Sequence, residues 1–169
     1  MGRILSLGVL MTCFIAGLQA RELDWVELQP EGWHLDKESV FEGQDISQLS
    51  DFSPEAIHLM DRLQAVLDAA PPVAALEGQK ITLEGYLLPL TRREGRAQRF
   101  FLVPFFGTCI HTPPPPANQI VDVHFPEGTP YSSFFSEVRV TGILTLETYS
   151  HRLATSAYRL DAERVEKQD

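Results

Sequence analysis

After Leu76 the chain becomes a succession of short alternating stretches, and this limits the fold more than any other feature. Over residues 80–90, Ile81, Leu83 and Leu87 fall on one side and Thr82, Glu84 and Tyr86 on the other. Residues 100–106 are almost continuously apolar. Over 119–125, Val121, Val123 and Phe125 point one way and Asp122 and His124 the other, which reads as an inward and an outward set. Over 138–147, Val138, Val140, Leu144 and Leu146 oppose Arg139, Thr141, Thr145 and Glu147; over 158–166, Tyr158, Leu160 and Ala162 share a side. Side chains of a strand alternate between faces, so each stretch reads as a strand against a core. Five short strands separated by turn signals predict a small barrel or sandwich. Their spacing favours a five-stranded barrel like the oligonucleotide/oligosaccharide-binding (OB) fold. Gly85 and Gly142 interrupt two strands, as expected at bulges or sharp bends.

One helix is predicted before the barrel, so the class is mainly β with one N-terminal helix. Ser53 is a good N-cap, Pro54 suits the first helical position and Glu55 the first turn. Ile57, Met60, Leu63, Val66 and Leu67 recur at helical spacing as a buried stripe, His58 lies beside it toward solvent, and Pro71-Pro72 stops the helix. Residues 21–52 are polar and irregular but carry Trp25, Trp33 and Phe41, which are expected to pin an extended arm onto the domain. A partner-docking arm is the alternative, since exposed aromatics favour interfaces.

The first residues explain where such a domain would work. Arg3, an apolar run over 4–18 and the small Ala20 match the three parts of a secretory signal. The run is short for a membrane span, which needs about 20 residues. Cleavage after Ala20 is favoured over a retained anchor. It is also favoured over lipid attachment at Cys13, where Leu10-Met11-Thr12 is a poor lead-in. The expected organisation is a signal peptide over 1–20, an arm over 21–52, helix and linker over 53–75 and the barrel over 76–169, in the periplasm, with no transmembrane segment after signal removal. Removing Arg3 from 14 basic residues leaves 13 against 23 acidic, a net −10. An acidic domain repels nucleic acid, which is excluded as a partner, and anionic membrane surfaces.

The mature chain then keeps a single cysteine, Cys109, and no internal disulfide is possible. It lies in the segment from Gly107 through Cys109, His111, Pro113, Pro114, Pro115 and Pro116 to Asn118 and Gln119. Four prolines favour a polyproline II rod, so Cys109 and His111 are expected on extended backbone with side chains on one face. A thiolate beside an imidazole suits zinc, or a thiol nucleophile. Zinc needs further ligands, and His124 and Asp122 are the best candidates, with His151 and Glu147 beyond them. Copper is disfavoured: the mature chain has one methionine, Met60, read as helix core. The plain alternative is a buried cysteine, Asp122 and His124 on the wet face of a sheet, and Asn118 and Gln119 serving carbonyls freed by the prolines. No nucleophile motif or Cys-x-x-Cys pair appears, so an enzyme is not expected.

The stretch 101–121, with its Gly-x-Cys-Ile-His-x-Pro-Pro-Pro-Pro-x-Asn-Gln core, resembles the signature of a bacterial exported family, domain of unknown function 3299. The likeness extends through 76–80, 85–90, 138–142 and 158–162, and Trp25, Leu28 and Pro30 are similar to the family's opening pattern. The resemblance implies an exported protein and suggests an accessory role beside an ABC-type transporter, in some cases a zinc-responsive one. The leading expectation is therefore a periplasmic zinc-binding accessory protein using Cys109, His111, His124 and Asp122. The alternative is a non-metal module docking an envelope or transporter partner through Pro113, Pro114, Pro115, Pro116, Phe105 and Phe106.

Overall fold

The computed structural model describes residues 19–36, 40–42, 49–50, 53–105, 114–131 and 136–168. In chain order the elements are β1 (Arg21–Glu22), α1 (Pro54–Asp68), β2 (Lys80–Arg93), β3 (Arg96–Val103), β4 (Val121–Pro130), β5 (Ser136–Thr145), β6 (Tyr149–His151), β7 (Ala154–Ser156) and β8 (Tyr158–Lys167), with single 3-10 turns at Trp25–Leu28, Ala74–Leu76 and Ala117–Gln119. β2 pairs with β3 through its second half and with β5 through its first; β3 pairs with β4, β4 in parallel with β8, and β8 with β5. The ring closes as β2-β3-β4-β8-β5-β2, the five-stranded OB-like barrel that the alternation predicts.

The interior face is the one the pattern assigns. Ile81, Leu83, Leu87, Phe100, Leu102, Val121, Val123, Val140, Leu144 and Leu160 are all fully or almost fully buried in one cluster. Burying each such side chain contributes about 1.5–3 kcal/mol. Gly142 sits at a register shift between β5 and β8, and a Cβ there would lie 2.8 Å from the Ala162 Cα. At Gly85 the ladder to β5 continues without a bulge; the glycine instead lets the Trp25 ring approach to 3.0 Å of where a Cβ would stand.

The arm is pinned as expected. Residues 21–22 add in parallel to β2 beside Ile81 and Thr82, on the stretch that β3 does not reach. The Trp25 indole N–H donates to the Glu84 carbonyl at 2.7 Å, and Leu28 is fully buried. The Tyr158 hydroxyl, also fully buried, donates to the Leu28 carbonyl at 2.8 Å and accepts from the Val73 N–H at 2.6 Å.

α1 begins as predicted: the Ser53 hydroxyl accepts from Ala56 N–H at 3.1 Å and Pro54 opens the helix. Its buried face differs from the expected stripe. Leu59, Leu63 and Leu67 are buried, whereas Ile57, Met60 and Val66 are exposed. Leu63 and Leu67 pack with Val40, Leu35 and Phe41 of the arm, so the arm sets the rotation of the helix, and Met60 does not belong to the core. His58 is exposed, as expected.

A second correction concerns the outer face of β3 and β4. Phe101 and Val103 point away from the barrel interior yet are fully buried, clustered with Leu88, Ile120 and Ala154. The hairpin β6–β7, which the alternation does not reveal, lies over them with Tyr149 and Leu153. This roof explains why β3 is apolar on both faces. It also means that Asp122, assigned to a wet face, has no solvent exposure.

Candidate functional site

Under this roof lies the most concentrated polar cluster among the described residues. Asp122 is the second residue of β4, and Arg99 on β3 stands in register opposite His124. The Arg99 Nε donates to Asp122 Oδ1 at 2.9 Å and its Nη2 to Oδ2 at 2.7 Å. The His124 Nε2 lies 2.9 Å from the same Oδ2. A carboxylate without water must find all its donors inside the protein, and three charge-assisted contacts meet that need. Hydrogen bonding to Asp122 raises the Arg99 pKa above its ordinary value, against a smaller desolvation effect.

The guanidinium of Arg99 also lies 3.5 Å beneath the centre of the Tyr149 ring, a cation–π contact that fastens the roof. Phe101 meets the edge of His151, and Tyr149 stacks against the same imidazole. The His151 Nδ1 accepts from the Leu153 N–H at 3.3 Å. Burial, and then the Arg152 and Arg99 charges, lower the pKa of His151, with Asp122 opposing. Glu147 is bonded to Arg159, which also holds Asp161.

Of the predicted ligands, Asp122 and His124 are thus in direct contact. Cys109 and His111, with Phe106 and Pro113, lie outside the described residues. Asp122 has both oxygens engaged, which leaves it as a partner of His124 in place of a free ligand. With His124 Nε2–H donated to that carboxylate, Nδ1 is the ring nitrogen left for another partner. The His124 side chain is 26% exposed. Among the described residues, no group of three or more His, Cys, Asp or Glu side chains gathers to hold a metal. Sequence reasoning missed Arg99 and Tyr149. An arginine directly before an apolar run was the available signal for the first.

Cys109 and His111 lie in sequence between Phe105, two residues past β3, and Pro114, Pro115 and Pro116, which are half-buried. Asn118 and Gln119 then tie the chain down, donating to the carbonyls of Pro71 at 3.0 Å and Trp25 at 2.7 Å. Their side chains serve the linker and the arm, while the Gln119 backbone N–H takes up the Pro116 carbonyl at 2.8 Å. Phe105 is 66% exposed. Elsewhere a groove of about 470 Å³ opens between the arm and β2, lined by Leu23, Trp25 and Thr82 and by Arg139 held between Glu22 and Glu84. No described helix is long and apolar enough to cross a membrane.

The closed barrel, its pinned arm and its roofed outer face define an OB-like domain with one added hairpin. Residues 25–167 match the family model described as protein of unknown function (DUF3299), and the chain belongs to that family. A solved DUF3299 family protein from Pseudomonas aeruginosa PAO1 is 32% identical, with a TM-score of 0.67, covering 89% of this chain and 97% of that one. Two more distant matches are an OBody bound to hen egg-white lysozyme (13% identity, TM-score 0.36, 55% of this chain and 84% of that one) and asparaginyl-tRNA synthetase from Pyrococcus horikoshii complexed with asparaginyl-adenylate (18%, 0.31, 55% and 20%). No curated protein matches the sequence.

Proposed function

We propose that this is an exported metal-binding accessory protein that takes zinc through Cys109, His111 and the Nδ1 atom of His124. The observation that carries the reading is the Asp122–His124 pair. A histidine whose second ring nitrogen donates to a carboxylate is the arrangement that orients imidazole ligands and raises their basicity. Asp122 is in this reading the orienting group, and Arg99 balances its charge. His124 is the fourth residue of β4, about 10 Å along the strand from its start. The eight residues between Phe105 and Pro114 are enough chain to span that distance. When bound, zinc would supply a soft cation matched to thiolate and imidazole. An accessory role beside an ABC-type transporter follows from the family resemblance.

The test is the metal content of mature protein purified without chelator, alongside Cys109→Ala, His111→Ala and His124→Ala. Near-stoichiometric zinc that is lost in each variant supports the reading, as does a thiolate-to-cobalt absorption band that disappears in Cys109→Ala. Equal metal in wild type and variants, or none after equilibration with zinc, overturns it.

A second reading, a docking module for an envelope partner, rests on Phe105 at 66% and Val26 at 72% exposure. A partner retained by Cys109→Ser but lost when Pro114, Pro115 and Pro116 are replaced would favour it.

A further inference from the structure

The chain carries a net charge of −9, and several of its described cations are neutralised in place. Arg21, Arg62, Lys80, Arg99, Arg139 and Arg159 each pair with a carboxylate. The tip of the β2–β3 hairpin departs from this habit. It reads Arg92-Arg93-Glu94-Gly95-Arg96, and Arg93 and Arg96 face each other in register across the turn. Like charges placed directly opposite on one face of a strand pair are destabilising. Here the only carboxylate on offer among the described residues is Glu94, at a loose 3.8 Å from Arg93, with both side chains largely in solvent. Such a pair offers little.

The tip is nevertheless built to a fixed shape. Glu94 and Gly95 both have positive φ, 52° and 75°, as a two-residue hairpin turn matched to the strand twist requires. Arg96 is braced by uncharged acceptors: its Nε reaches the carbonyls of Glu127 and Gly128 at 3.1 Å, and its Nη2 reaches Gly128 at 2.6 Å. Gly128, at φ 69°, makes the room, since a Cβ there would stand 2.9 Å from the Cβ of Arg96. On the other face Arg92 donates to the Tyr131 hydroxyl at 3.2 Å. These bonds hold Arg92 and Arg96 without cancelling their charge, and among the described residues no acceptor takes the Arg96 Nη1 protons. Donors held in position lose less entropy on binding.

We infer that the Arg93–Arg96 face of this hairpin tip is an anion site for a phosphate-type group, with Arg92 adding to the local positive potential. The donor number favours phosphate over carboxylate. In this same protein one guanidinium and one imidazole fill the Asp122 carboxylate. Two arginines paired across one turn bring more donors than that, and the oxygens of a phosphate can take both. The footprint of one turn spans too little for a nucleic-acid backbone, in keeping with the acidity of the chain.

Phosphate can come free in solution or on a lipid headgroup, so the test has two arms. Inorganic phosphate is titrated into the mature, ¹⁵N-labelled protein, and co-sedimentation is measured with phosphatidylglycerol and with phosphatidylcholine vesicles. Expected are shifts centred on residues 92–98 in the first arm, or binding to the anionic vesicles alone in the second. Replacing both Arg93→Gln and Arg96→Gln should weaken binding about tenfold. Arg152→Gln, which removes one positive charge elsewhere, should change it less than about twofold. Glu94→Gln should tighten it, a gain that misfolding cannot imitate. Binding that ignores both the paired arginine change and Glu94→Gln, or no response at the tip in either arm, overturns the assignment.

Discussion

Replacing Asp122 with asparagine keeps the shape of the side chain and removes its charge. In the native arrangement Oδ2 receives Arg99 Nη2 and His124 Nε2 while Oδ1 receives Arg99 Nε. An amide can keep its oxygen on one side only, so an NH₂ group must face a donor on the other. At least one charge-assisted bond, about 1.5–3 kcal/mol, is lost, and the Arg99 charge loses its counter-charge. Removing one partner of a buried ion pair costs about 3–5 kcal/mol, but the Arg99 side chain is 26% exposed and water recovers part of that. The expected destabilisation is about 2–4 kcal/mol, a large share of a typical 5–15 kcal/mol domain stability. Urea unfolding at pH 7 measures it. The loss should be uneven: Arg99 is the platform beneath Tyr149, so amide protection should fall first across Tyr149–His151 and Ala154–Ser156. In the zinc reading the same change should weaken metal affinity about 10–100-fold without changing stoichiometry at saturation. A midpoint within about 0.5 kcal/mol of wild type, with hairpin protection unchanged, would refute the reasoning.

Three further outcomes follow from other parts of the molecule. Tyr158→Phe leaves the Leu28 carbonyl and the Val73 N–H without their shared hydroxyl, and should cost about 2–5 kcal/mol in chemical unfolding, with exchange accelerated around Trp25–Leu28. Gly142→Ala drives a methyl group into the Asp161–Ala162 backbone and should destabilise by more than about 2 kcal/mol, whereas alanine at exposed Asp161 should be nearly neutral. The His151 pKa is lowered in the fold, so the unfolded chain takes up this proton more readily. Stability should fall as pH drops below about 6.5, and His151→Gln should flatten that part of a thermal-melting pH profile. The charged groups around that ring are Arg152, Arg99 and Asp122.

The barrel was legible because its core depends on period-two alternation: Ile81, Leu83 and Leu87 could face only one way. The capping of α1 by Ser53 and Pro54 was equally local and equally readable. Its rotation was not, because Leu59 and Met60 are interchangeable by composition, and the buried face is set by packing of Leu63 and Leu67 against Val40 and Phe41 far back in the chain. The roof was hidden for a related reason. Tyr149, Ser150 and His151 show no amphipathic period, and their packing surface, Phe101, looked merely like part of an apolar run. At the site, the shared face of Asp122 and His124 followed from their spacing. The partner that occupies Asp122 comes from another strand, and only the antiparallel register of β3 with β4 brings it there.

The position of β8 has a kinetic consequence. The strand that comes last in sequence lies between β4 and β5, so until it arrives the barrel is an open sheet with two bare edges. The same strand begins with Tyr158, whose hydroxyl secures Leu28 from 130 residues away. A chain emerging N-terminus first, from a ribosome or through a membrane pore, therefore cannot lock its leading arm before its final strand appears. Contacts of such separation form slowly, because the intervening loop must close first. The topology leaves the arm unlocked until a strand that starts 130 residues after Leu28 has formed.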